Sequence, residues 1–142
     1  MKKNRFVLVG LGRIGIIHLD NLLQIHNVEV VAVMDSQEEA LKYAKDKGIA
    51  IITTTYSELL NINDIDAVII CSPTNTHADY IELAAKKGIN IFCEKPLDLS
   101  LKRVKEVLQV VEKMNVKLMI GFNRRFDKEF KKIYNVVQNG NI

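Results

Sequence analysis

Five short runs in this chain are too apolar on both faces to lie at a surface, and they alternate with segments of helical period. RFVLVG (5–10), VEVVAVMD (28–35), DAVIICS (66–72), INIFCE (89–94) and VKLMIG (116–121) are bounded by turn residues and rich in Val and Ile. A strand with one wet face alternates apolar and polar side chains. Runs without that alternation belong to parallel strands covered on both sides. A shorter run, IAIIT (49–53), supplies a sixth strand. Helices are expected at 13–25, 37–47, 76–87, 100–114 and 127–138. This order predicts an α/β fold, a doubly wound and mainly parallel sheet with helices on both faces.

The helix ends carry their own signals. Ser36 and Glu39 have capping-box spacing, and Gly48 and Gly88 close the second helix and the one before INIFCE. After Ser100, the residues Leu101, Val104, Leu108 and Val111 predict one apolar face. No internal repeat, low-complexity tract or Pro-rich linker interrupts the pattern. A chain of 142 residues is the size of one domain and buries about two-thirds of its unfolded surface, so 1–142 reads as a single unit.

Charge and cysteine content narrow the function classes. Twenty basic and 17 acidic residues are dispersed along the chain and leave a net charge of +3, too slight for a nucleic-acid or membrane-surface footprint. Cys71 and Cys93 have neither CxxC nor metal-ligand spacing, so a reduced cytoplasmic setting with no metal is expected. No apolar run approaches the roughly 18 residues of a membrane span. The basic N-terminus turns apolar as a secretion signal does. Arg13 and glycines break that run, and no small-residue cleavage site follows.

Gly10-Leu11-Gly12-Arg13-Ile14-Gly15 is a GxGxxG that follows the first strand and opens the first helix. In such a unit the first glycine allows the tight turn and the second lets a pyrophosphate approach the backbone. The third lets helix and strand pack closely. The helix start adds unpaired N–H groups and a positive dipole end for phosphates. Asp35 ends the second strand, 20 residues after Gly15. Its carboxylate suits the ribose hydroxyls of NAD and repels the extra phosphate of NADP, and Ser36 beside it offers no cation. The unit predicts a Rossmann dinucleotide cradle that prefers NAD.

Ligands of such sheets lie beyond the carboxyl ends of the strands, where this chain places CSPTNTH (71–77) and EKP (94–96). GLGRIGxxH, SPTNTH, CEKP and GFNRRFD, in this order and at these separations, resemble the Gfo/Idh/MocA family of NAD(P)-dependent oxidoreductases. The likeness covers all 142 residues, and near GFNRRFD it is strongest to the inositol 2-dehydrogenases. It implies hydride transfer between a polyol or sugar ring carbinol, myo-inositol-like, and NAD. The substrate is thus a small molecule.

The resemblance also implies roles for individual residues. Lys95 would lie near the nicotinamide and the reacting hydroxyl as the catalytic residue, touching both cofactor and substrate, and Glu94, also counted among the cofactor-binding residues, would orient Lys95 or close a structural hydrogen bond. Pro96 biases Lys95 towards extended backbone, and a cis bond there would fix its direction. Ser72, Pro73, Thr74 and His77 match the loop over the cofactor, although Asn75 or Thr76 could simply cap the next helix and His77, on its first turn, could be structural. Asn123 and Arg124 would contact a polyol, with Arg125 the competing arginine. His18 matches a family histidine but reads more readily as a packed core-edge residue, and His26 carries no signal. Cys71 and Cys93 read as small apolar strand-end residues.

Family members continue into a C-terminal domain that holds the proton-relay Asp and His and most of the substrate pocket. No histidine follows position 77 here. The expectation is therefore a fragment that binds NAD without turning over substrate, from a parent that oligomerises through the second domain. Other sugars or sugar acids on the same scaffold, or a non-catalytic NAD sensor, are the competing readings.

Overall fold

The computed structural model describes residues 2–140; Met1 and the last two residues of the terminal NVVQNGNI lie outside the described residues. The elements run β1 (Asn4–Val9), α1 (Arg13–Leu23), β2 (Val28–Met34), α2 (Glu38–Asp46), β3 (Ile51–Thr53), α3 (Tyr56–Leu60) and β4 (Ala67–Ile70). They continue with α4 (Thr74–Lys86), β5 (Asn90–Cys93), α5 (Leu101–Lys113), β6 (Leu118–Ile120), a single 3-10 turn (Asn123–Phe126) and α6 (Lys128–Gln138). All neighbouring strands pair in parallel, in the order β3-β2-β1-β4-β5-β6. The chain winds outward one way from β1 and the other way from β4. The crevice between their carboxyl ends is the switch point of a Rossmann sheet.

Val7, Leu8 and Val9 are each 0% exposed, which is why this strand has no polar alternation. Val7 and Val9 face one core with Leu59, Ile81 and Val107, whereas Leu8 faces the other with Leu19, Val33 and Leu41. Helices α3, α4 and α5 cover the first face, and α1 and α2 cover the second. Each such side chain contributes about 1.5–3 kcal/mol by leaving water.

Several local expectations change. Ser36 does not cap α2. The N-cap is Gln37, with no side-chain cap, and its N–H is taken by Asp35 Oδ1 at 2.9 Å. The carboxylate one residue earlier outcompetes the serine. Helix α4 starts at Thr74 after Pro73, so Asn75 and Thr76 lie inside it and cap nothing; a proline at that boundary forfeits no helical N–H bond. In α5 the buried residues are Val107 and Val111, with Val104 partly buried against them, while Leu101 and Leu108 are 69% and 45% exposed. Apolar residues at 101, 104, 107, 108, 110 and 111 form a broad stripe, and packing against α4 selects its valine edge. Ser100 does cap this helix, through the Arg103 N–H.

Helix α3 leaves no pattern in the sequence, because five residues carry too little periodicity. Tyr56, Leu59 and Leu60 nevertheless bury it. Tyr56 stacks on Tyr80 with centroids 4.0 Å apart and donates its hydroxyl to the Tyr80 carbonyl at 2.9 Å. Helix α6 buries no residue; Phe130, Ile133, Tyr134 and Val137 remain exposed along it, as does Met119 on β6.

Candidate functional site

Strand β1 ends at Gly10, whose φ of +90° turns the chain into α1. A Cβ on Gly10 would lie 2.7 Å from the Cys71 carbonyl carbon and the Ser72 nitrogen, so only hydrogen allows the ends of β1 and β4 to meet. A Cβ on Gly15 would come within 1.8 Å of the Gly10 carbonyl oxygen. The third glycine therefore seats α1 directly on the turn. At Gly12 a Cβ would meet nothing within 4 Å. Its backbone faces open space, and it caps α1 without any side-chain hydrogen bond. That leaves first-turn N–H donors for an anion.

The space belongs to a cleft of about 610 Å³ lined by Gly10, Gly12, Asp35, Ser72 and Pro73 from the expected set. Met34, Gln37, Asn75, Thr76 and Tyr80 also line it. Asp35 accepts the Leu11 N–H on Oδ2 at 2.6 Å and the Gln37 N–H on Oδ1 at 2.9 Å. The carboxylate is thus fixed at the cleft edge, and each oxygen keeps a lone pair for a further donor. Glycine backbone, helix start and carboxylate together fit a dinucleotide. On the opposite wall the Ser72 hydroxyl donates to Thr76 Oγ1 at 2.6 Å, and the Thr76 hydroxyl donates to the Pro73 carbonyl at 2.7 Å.

A second cleft, of about 620 Å³, is lined by Lys95, Phe122, Asn123, Arg124 and Arg125. The structure thus brings Lys95, Asn123 and Arg124 together and adds Arg125 beside them. Arg124 lies 3.5 Å from Asp127 and over the Phe130 ring at 4.8 Å, and Arg125 lies over Phe122 at 5.5 Å. The Lys95–Pro96 peptide is cis.

Glu94 sits beneath Lys95. Its Oε1 accepts from His18 Nε2 at 2.8 Å and its Oε2 accepts the Lys95 N–H at 3.2 Å. The carboxyl rests on Gly121, where a Cβ would be 3.1 Å away. His18 meets the Phe92 ring edge-on at 5.2 Å. His18 is therefore a partner of Glu94, a pairing across 76 positions that no local signal announces.

Other expected residues stand off the first cleft. Arg13 opens α1 and is exposed, Ile14 is 39% exposed, Gly15 is buried beneath the turn, and Thr74 begins α4. His77 is 1% exposed and does not line the cleft; it touches two backbone carbonyls instead, those of Ser72 and Pro96.

Burial, reinforced by the Glu94 charge, pushes the thiols of Cys71 and Cys93 up to about 12. Both remain neutral thiols at ordinary pH, and the thiolate is the reactive form. A thiol reagent at neutral pH should leave the native chain unlabelled and modify both cysteines in denaturant. Labelling of the native chain at the free-thiol rate would contradict this burial.

Comparison with known proteins gives the family and the fold. Residues 4–122 match the model of the Gfo/Idh/MocA oxidoreductase family, NAD-binding Rossmann fold. Over 136 residues the chain is 46% identical to an uncharacterized oxidoreductase, YrbE, of Bacillus subtilis, covering 95% of this chain and 40% of the relative. It is 42% identical over 139 residues to the myo-inositol 2-dehydrogenase of Thermotoga maritima, covering 97% and 42%. A Lactobacillus casei scyllo-inositol dehydrogenase, solved with bound NAD(H) and scyllo-inositol, superposes with a TM-score of 0.93 at 33% identity. That match covers 99% of this chain and 42% of the neighbour. The chain thus spans about two-fifths of the length of the relatives it matches.

Proposed function

Because this chain belongs to the Gfo/Idh/MocA oxidoreductase family, with its NAD-binding Rossmann fold, we propose that it is the NAD-binding part of an inositol-type polyol dehydrogenase. The observation that carries this reading is the placement of Lys95 in a cleft with Asn123 and Arg124, just beyond the carboxyl ends of β5 and β6 on the same sheet as the glycine-lined cleft. Bound NAD supplies the hydride acceptor. The chain's own residues bind, orient and polarise. Gly12 and the α1 start take the phosphates, and Asp35 takes the adenosine ribose hydroxyls. The Lys95 ammonium donates to the substrate oxygen and stabilises charge developing there. Asn123 and Arg124 hold neighbouring hydroxyls, for which a planar guanidinium offers several fixed donors.

The activity belongs to a longer protein in this proposal, with the chain alone binding NAD and not turning over. Exposed apolar side chains on α6 and β6 support a second domain seated there, through which the parent would also form homo-oligomers. Two unpaired, buried cysteines support a reducing, cytoplasmic setting. Among the described residues no helix is long and apolar enough to cross a membrane.

Calorimetric titration with NADH and NADPH tests the cofactor reading. NADH is expected to bind more tightly. Replacing Asp35 by serine removes charge-assisted hydrogen bonds worth about 1.5–3 kcal/mol, so NADH affinity should fall roughly 10- to 100-fold and the gap to NADPH should narrow. Tighter NADPH binding by the unaltered chain would overturn the preference. Activity of the full-length protein against a panel of inositols, sugars and sugar acids then decides the substrate. A full-length protein that binds NAD and turns over none of them would favour a sensor.

A further inference from the structure

His77 is the buried polar side chain of the two cores, 1% exposed among the described residues, and no step proposed above uses it. Its Nδ1 lies 2.8 Å from the Pro96 carbonyl oxygen and its Nε2 2.7 Å from the Ser72 carbonyl oxygen. Carbonyl oxygens only accept. A neutral imidazole carries one N–H, so one of these two contacts would set a bare ring lone pair against an oxygen lone pair. Only a ring with hydrogen on both nitrogens satisfies both. In a site shielded from water, a mismatched pair of that kind is costly and a matched charged donor is strong.

The two carbonyls belong to the two loops that carry the proposed chemistry. Ser72 is on the wall of the glycine-lined cleft, where its hydroxyl is already tied to Thr76. Pro96 directly follows Lys95. We propose that His77 is held doubly protonated as a strap between these loops. It would thereby be a positioning residue that sets where Lys95 stands relative to the bound cofactor. The inference rests on the reading of Lys95 as the residue serving the reaction. Glu94 holds the Lys95 backbone N–H from below, and His77 holds the next carbonyl but one, so the lysine is gripped on both sides.

Two measurements test the strap. The first is a long-range nitrogen–proton correlation spectrum of the 15N-labelled chain at neutral pH, which needs no activity. Both His77 nitrogens should show the shift of protonated ring nitrogens, and one bare-nitrogen signal would overturn the proposal. The second uses the full-length protein with His77→Gln, which keeps a donor, and His77→Phe, which keeps bulk and none. Misplacing a catalytic group by about 1 Å costs on the order of 100-fold. His77→Phe should therefore lower kcat about 10- to 100-fold with KM for NAD within about twofold, and His77→Gln should recover part of the loss. Equal losses in both variants, or a loss confined to KM, would reduce His77 to packing. If His77→Phe fails to fold, the kcat of His77→Gln and the spectrum still decide. A full-length protein without dehydrogenase activity would refute the role of Lys95, whereas the spectrum would report on the strap independently.

Discussion

Replacing Gly15 by alanine should cost the chain most of its stability, whereas the same change at Gly12 should leave the fold intact and remove the cofactor. The added carbon at Gly15 would sit 1.8 Å from the Gly10 carbonyl oxygen and 2.9 Å from its carbon. Both are backbone atoms, so no side chain can swing aside, and α1 would have to lift from the turn that seats it. Overpacking typically costs 1–3 kcal/mol and more where the neighbour is rigid. A loss of about 3 kcal/mol or more, with Tm lower by on the order of 10 °C, is expected from thermal and urea unfolding. At Gly12 nothing lies within 4 Å, and an alanine there should shift stability by less than about 0.5 kcal/mol. It would fill the space a pyrophosphate needs, so NADH affinity should fall at least about tenfold. Equal stability losses in the two variants would mean that the second and third glycines have been assigned the wrong duties.

The second large effect is expected at Lys95. Changing it to methionine keeps the length of the side chain and removes the ammonium. A positioned acid–base or charge-stabilising group contributes roughly 10²- to 10⁴-fold, and kcat of the full-length protein should fall within that range. Cofactor affinity should change by less than about threefold, because Lys95 lines the second cleft and not the glycine-lined one. Turnover within about tenfold of the unaltered protein would remove Lys95 from the chemistry and turn attention to Asn123 and the two arginines.

What could be read from the sequence divides by distance along the chain. The inner strands were legible because burial on both faces writes itself into consecutive residues, as in Val7, Leu8 and Val9, whereas the edge strands β3 and β6 are apolar runs that stay partly exposed. The glycine cradle was legible because its three glycines and its carboxylate fall within one βαβ unit. Helix α3 was not, being shorter than two turns. The edge of α5 that turns inward was decided by α4, which the local stripe of Leu and Val does not mention. The hydrogen bond from His18 to Glu94 spans 76 residues, and one of the two made by His77 joins it to a segment 19 residues on. Spacing within a motif cannot reveal such contacts. A candidate site at the strand ends could be anticipated, but the partners that hold its residues in place come from elements folded against it.

The two backbone N–H groups on Asp35 bear on how a chain of this kind could change its cofactor. If Asp35 sets the proposed preference for NAD, a residue without the carboxylate at position 35 would remove the repulsion of a 2′-phosphate in a single step, yet it would also take away the two oxygens that hold the Leu11 N–H of the glycine turn and the Gln37 N–H that opens α2. The variant would lose its grip on NAD and the order of both loops before any cation was there to welcome NADP. Passage between the two cofactors therefore runs through an intermediate poor at binding either. A lineage would have to acquire the cation, or another acceptor for those amides, first. Cofactor preference in this fold would thus be guarded by the order in which mutations must arrive.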